Sequence, residues 1–167
     1  MTTMLEAELL AHLDAQIASA KRLLATILEQ GAAIRERDVE CVLGKLAEIQ
    51  TEMGRRGRLE QDRTGLLQRA GHALGVGAAE VTLERMCALI TPQAARNAHE
   101  RSAELRGLLA EIAREHGINR ALMRQELAFL SHLTRLMGGE PEGAYAPPAN
   151  GPRPAGGAGH RVLDLQA

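Results

Sequence analysis

Six histidines, two cysteines and two glycine-rich segments are the residues of this chain whose types could do chemistry. His12, His72, His99, His116, His132 and His160 would be metal ligands or proton carriers if two of them shared a helical face. None is four residues from another, and no HExxH occurs, so the spacing that would aim two imidazoles at one metal is missing. Cys41 and Cys87 lie far apart in sequence within helical patterns, and read as small hydrophobes, not as a disulfide or a ligand pair. Gly75-Val76-Gly77 and Gly138-Gly139 have neither the GxxxxGK[ST] pattern nor a preceding strand, so they read as helix terminators and not as phosphate cradles. No Ser or Cys sits in a nucleophile signature. The expectation is a protein that is not an enzyme and uses no metal or cofactor.

Two further clusters invite function. Gly71-His72-Ala73-Leu74-Gly75-Val76 resembles the AHxLKG segment of a histidine phosphotransfer bundle, but Gly75 and Val76 stand where that motif has Lys and Gly. A phosphorylated His72 would therefore lack its adjacent cation, and this stays a minor alternative. Arg55-Arg56-Gly57-Arg58 is the densest basic run, yet Glu60, Asp62 and Arg63 follow at once and no aromatic residue is near for base stacking. A solvated, ion-paired helix face is the better reading.

The elements that carry these residues are helical. Aromatic residues make up 1 % of the 167-residue chain, and Leu, Ala, Glu and Arg dominate, a composition that disfavours a sheet and favours helices packed through leucine seams. From Leu5 to Ile34 the apolar residues recur every three or four positions and fall within roughly 140° of the helical circumference. Gly31 is the weak point of this first helix. Asp38 caps a second helix whose stripe runs through Val42, Leu43, Leu46, Ile49, Met53, Leu66, Leu67 and Leu74. Gly54, Gly57 and Gly65 interrupt it, implying either a close helix approach or a bend. After Gly75-Val76-Gly77 a short helix spans Ala79 to Ile90, and Thr91-Pro92 starts a fourth that runs to about Met137. The fold class expected is all-α, an elongated antiparallel hairpin or bundle of long helices over residues 1–138. The last 30 residues hold seven of the 17 Gly and five of the six Pro, so residues 139–167 are expected to be a flexible, disordered tail.

Twenty basic and 21 acidic residues are finely mixed, for a formal net charge of -1, which leaves no positive field for nucleic acid or anionic lipid. The N-terminal segment has no basic stretch followed by an apolar one, and no uncharged apolar run of membrane-spanning length occurs, so neither membrane insertion nor export is expected. The location expected is cytoplasmic.

In its helical order the chain resembles the FlgN family of flagellar type III export chaperones. The resemblance rests on a Leu-rich first helix, the Asp-led segment Asp38-Val39-Glu40-Cys41-Val42-Leu43-Gly44-Lys45-Leu46, the stretch Leu59-Glu60-Gln61-Asp62-Arg63-Thr64-Gly65-Leu66-Leu67 and the step Ile118-Asn119-Arg120-Ala121-Leu122-Met123. A Gly/Pro-rich ending with one Tyr, closed by Arg161-Val162-Leu163-Asp164-Leu165-Gln166-Ala167, is similar to the family's tail. Membership would imply binding of the helical C-terminal regions of the hook-filament junction proteins FlgK and FlgL and their delivery to the export gate protein FlhA. It would also suggest that Tyr145 docks on the gate.

The residues support a binding role by themselves. Leu122, Met123, Leu127, Phe129, Leu130, Leu133, Leu136 and Met137 cover roughly 180° of the last helix, more than the first helix's stripe. Such an arc serves either two bundle neighbours or a partner groove. It splits into two angular groups. Leu122, Phe129, Leu133 and Leu136 are expected to face a substrate protein, and Met123, Leu127, Leu130 and Met137 to pack inward. A generic coiled-coil adaptor or scaffold, which would bridge folded partners, is the competing class.

Overall fold

Leu9, Leu13, Ile17, Ala20, Leu23, Ile27 and Ile34 are all buried along one helix, α1 (Thr2–Glu36), in the computed structural model, which describes residues 2–137. Gln16, Ser19, Gln30 and Ala33 are buried beside them, so α1 is covered on more than one face and is the central element. The second helix, α2 (Val39–Leu74), folds back antiparallel to it, and the pairs Lys45–Glu29 (2.6 Å), Ser19–Glu52 (2.7 Å) and Arg69–Glu8 (2.8 Å) run along the pairing in reverse order. A connection then carries the chain to α4 (Pro92–Leu136), which runs parallel to α1. Thr91 meets Glu6, Arg101 meets Asp14 at 2.6 Å, Glu104 meets Lys21 at 2.7 Å, Asn119 meets Ile27 and Glu126 meets Arg37. Backbones approach closely between α1 and α2, whereas α4 stands further off.

Each terminus has a local cause. The α1–α2 turn is only Arg37–Asp38. Asp38 N–H donates to Ala33 O and Arg37 N–H to Ile34 O, which closes α1, while the Asp38 carboxylate accepts the Cys41 N–H at 2.9 Å and opens α2. Arg37 adopts φ 58°, the left-handed conformation usually left to glycine. At the far end of α2 a glycine does take that role: Gly75 has φ 68° and Val76 N–H reaches back to Gly71 O. Thr91 accepts the Ala94 N–H at 3.3 Å and Pro92 is the first residue of α4, as the sequence predicts.

The short helix expected over Ala79 to Ile90 is divided in two. Ala78–Glu80 forms a 3₁₀ turn, Val81 and Thr82 are extended, and α3 spans only Leu83–Cys87. Thr82 breaks the run because its hydroxyl accepts the Arg85 N–H and so starts a new helix. Gly54, Gly57 and Gly65 of α2 mark neither a close approach nor an interruption. The helix is continuous, a Cβ at Gly54 or Gly57 would meet nothing within 4 Å, and at Gly65 it would meet only the Arg69 guanidinium. The real close approaches are at Gly31, where a Cβ would lie 2.6 Å from Asn119 Oδ1, and at Gly71, 2.8 Å from Val76 O.

The main core cluster joins Leu9 and Leu13 to Leu66, Ala70, Met86, Ile90, Ala94 and Ala98. Leu43, Leu46 and Met53, assigned above to the α2 stripe, are exposed instead. Among the described residues no helix is long and apolar enough to cross a membrane. The chain divides into two units, residues 1–130 and 131–167, and of the second the structure describes residues 131–137, the end of α4. The expected tail, with Tyr145 and Val162 to Leu165, lies outside the described residues.

Candidate functional site

After Glu126 meets Arg37, α1 has ended and α4 has no further α1 face to pack on. Leu127 and Leu130 are accordingly 65 % and 56 % exposed, and Phe129 45 %. With Met123 they form one wall of a groove of about 420 Å³, whose other wall is Val39, Val42 and Leu43 of α2 and whose floor is the buried Ile34. The Arg37 guanidinium sits over the Phe129 ring, 5.8 Å from its centroid, and pairs with Glu126 at 3.2 Å, so the apolar groove has one ion pair on its rim.

The structure redistributes the two angular groups. Of the residues expected to face a partner, Phe129 lines the groove and Leu122 is half-buried; in the second unit, Leu133 is half-buried and Leu136 exposed. Of those expected to pack inward, only Met123 is half-buried, while Leu127, Leu130 and Met137 (85 % exposed) are not packed inward. For Leu127 and Leu130 the reason is the early end of α1, which a stripe read on one helix does not reveal.

A second cleft has α1 as its floor and is walled by α2, α4 and the connection between them, through Val81, Leu83 and Met86. It holds about 360 Å³ and is lined by Leu66 and Leu67 of α2, Leu105 and Leu109 of α4, and the polar groups of His12, Gln16, Arg56, Glu60, Arg63 and Ser102. Burial pushes the His12 imidazole below its ordinary value, aided by Arg63, while Glu60 and Asp62 pull it back up. Arg56 Nη1 is buried there with no hydrogen-bond partner. The basic run containing Arg56 is thus only partly the solvated, paired face expected: Arg55 pairs with Glu52, and Arg63 with Glu60, each at 3.0 Å.

Sequence reading missed the polar residues inside the bundle. Glu52 is 5 % exposed and accepts bonds from Ser19, Arg22 and Arg55. The Arg22 guanidinium, with Ser19 and Arg55, holds its carboxyl at about 2 against the desolvation that opposes ionisation. Asn119, 1 % exposed, donates to Ile27 O at 2.8 Å and fixes α4 on α1. A signal for Glu52 and Arg56 was present: Val42, Lys45, Ile49, Glu52, Arg56, Leu59, Arg63, Leu66 and Ala70 follow one another in alternating steps of three and four, the seam of a coiled coil with charges at four places. Cys41 and Cys87 are free and half-buried, and burial raises the Cys87 thiol. No group of His, Cys, Asp and Glu among the described residues is placed to hold a metal.

Apolar surface and fixed charge at a groove are what a protein-binding helix bundle presents. No curated protein and no solved structure matches the chain. The family model described as FlgN protein matches residues 1–152, nearly the whole chain, including every described helix. The chain belongs to the FlgN family, the flagellar export chaperones.

Proposed function

We propose that this chaperone acts in the cytoplasm, binds the C-terminal helical regions of the hook-filament junction proteins FlgK and FlgL with the apolar end of α4, and delivers them to the export gate protein FlhA. The observation that supports this is the groove in which Leu127, Phe129 and Leu130 stay exposed beside Val39 and Leu43. A client helix would lay its apolar face there, with anchors at helical spacing entering between α2 and α4. Leu122, Leu133 and Leu136 stay in the proposal on their helical spacing to Phe129. The protein works by binding alone, without cofactor or catalysis. Residues 1–138 are the client-binding bundle and 139–167 a tail whose Tyr145 docks on the gate, since one rigid aromatic in a Gly/Pro-rich segment is a suitable anchor for a weak handover.

Calorimetric titration of the full chain with a FlgK or FlgL C-terminal segment tests the reading. Binding is expected at micromolar concentration, and Phe129→Ser combined with Leu136→Ser should weaken it at least about tenfold, the loss of two apolar anchors, with little change in melting temperature. Tyr145→Ala should keep client affinity and lower retention of the loaded complex by FlhA. No heat with either segment would remove the client assignment, and a collapse of stability in the double variant would return those side chains to the core.

A further inference from the structure

The groove beside the end of α4 is apolar and open. Val39, Leu43 and Leu127 on its walls are 68 %, 59 % and 65 % exposed, and of the side chains that line it only Arg37 and Glu126 are charged. Arg37 is itself 67 % exposed. Its pair with Glu126 is made through Nε, and a guanidinium has five N–H donors, so a second carboxylate can be met at the rim. The occupant that fits is a short run of aliphatic side chains with one carboxylate beside them.

The sequence beyond the described residues contains such a run. Residues 138–161 hold seven Gly and five Pro, and Tyr145 is their only large apolar residue. Val162-Leu163-Asp164-Leu165 then sets three aliphatic residues around one acid. On one helical turn the three would fall within about 160° of each other, with the carboxylate on their flank. The family match ends at residue 152, so this run lies outside what the match accounts for.

Reach points to the same groove. Twenty-five residues separate Leu136, the last residue of α4, from Val162. A Gly-rich chain of that length has an r.m.s. span of about 25–30 Å. Leu130, on the groove, lies about 9 Å of helix before Leu136. The apolar pocket lined by Met4, Leu5 and Leu89 lies far down α1, about 45 Å of helix from Ile34 back to Leu5. A tether that matches its span supplies an effective concentration on the order of millimolar, so a contact too weak to form between separate molecules forms within one chain.

We infer that Val162, Leu163 and Leu165 dock in the groove of their own chain, against Val39 and Leu43 of α2 and Leu127 and Phe129 of α4, with Asp164 paired to Arg37. The segment covers the groove until a client displaces it. This competition rests on the function proposed above, in which the client takes the same groove; the contact itself does not. A client then binds with an apparent affinity lowered in proportion to the fraction of chains whose groove is open.

The full chain has no Trp, so Leu163→Trp places a single indole in the segment. Its emission is expected to be blue-shifted from that of the denatured chain and shielded from acrylamide, with no dependence on protein concentration. Leu127→Asp and Phe129→Ser should each return it to the solvent-exposed value, Asp164→Lys should return it part of the way, and Met4→Asp, at the distant pocket, should leave it unchanged. In the chain without Trp, Leu163→Ser combined with Leu165→Ser should tighten client binding about threefold or more as the groove opens. A solvent-exposed indole in the otherwise unaltered chain would overturn the self-contact. So would a blue shift that survives both groove variants, one that is lost with Met4→Asp, or one that disappears on dilution, which would assign the segment to a second copy. Client affinity left unchanged by the Ser pair would overturn the competition. The fluorescence needs no client, so a failed self-contact and a failed client assignment are read apart.

Discussion

The two ends of α4 both carry apolar residues, small at the start and large at the end, and have opposite fates. At its start Ala94 and Ala98 are 2 % and 0 % exposed against Leu9, Leu13, Met86 and Ile90, and at its end the larger Leu127, Phe129 and Leu130 lie open. Hydrophobicity does not separate them; what stands opposite does. The start faces three other elements, whereas the end runs on after α1 has stopped at Glu36. Large apolar side chains left this exposed are a loss for the isolated fold, and in the function proposed above they are the surface that takes the client. Charge placed at the two ends should divide these roles. Ala98→Asp buries an unpaired carboxylate in the core and should cost roughly 3 kcal/mol or more, measured by chemical denaturation. Leu127→Asp should change stability by less than about 0.5 kcal/mol and yet weaken client binding. Equal stability losses at the two sites would show that the end of α4 belongs to the core as well.

The same contrast holds for the charges that tie the helices. Between α1 and α2, Glu52 is enclosed by Ser19, Arg22 and Arg55, with its side chain 6 % exposed; at the end of α4, the Arg37–Glu126 pair is 67 % and 38 % exposed. An enclosed carboxylate with charge-assisted bonds holds register, and an open pair contributes little. Glu52→Gln keeps the shape and removes the charge, and should lower stability by about 2 kcal/mol near neutral pH. Because the folded protein holds this carboxyl at about 2, below its ordinary 4.5, its contribution is complete above the ordinary value and is lost as pH falls toward 2. The gap between parent and variant should therefore shrink across that window. A gap independent of pH would mean that the Glu52 charge is not what fixes α2 on α1.

How legible was this in the sequence? The long helices, the Asp38 and Thr91 starts and the Gly75 stop were readable because each is decided within one turn of chain. What a helix faces is decided elsewhere. Gly31 read as a weak point of α1, although its missing Cβ is what admits Asn119 of α4, and no local pattern announces a neighbour 88 positions away. The α2 stripe was drawn through Leu43, Leu46 and Met53 because they are apolar, while the actual seam passes through Lys45, Glu52, Arg56 and Arg63 and could be traced only by spacing. The apolar arc of α4 left bundle packing and a partner groove equally open, and Leu127 and Leu130, expected to pack inward, lie exposed because α1 stops at Glu36, which a stripe read on one helix does not reveal.

Arg37 provides the finest test, since it belongs to both regions compared: its backbone closes α1 and its side chain touches the end of α4. A left-handed φ of 58° is unfavourable for any residue with a Cβ, by about 1 kcal/mol, and costs glycine almost nothing. In return the side chain makes the Glu126 pair and lies over Phe129, contacts worth together about 1 kcal/mol at an exposed site. The two terms oppose each other, so Arg37→Gly, which removes both, should leave stability within about 0.5 kcal/mol of the parent. Arg37→Ala keeps the backbone cost and loses the contacts, and should be about 1 kcal/mol less stable than Arg37→Gly. Denaturation of the two variants side by side reads the backbone term directly, and equal stabilities would show that the turn does not hold residue 37 in the left-handed conformation. Client titration reads the side-chain term, because both variants remove the guanidinium from the rim of the groove. A matched fall in affinity in the two would assign Arg37 a part in holding Phe129 ready, whereas unchanged affinity in both would leave it as a turn residue only.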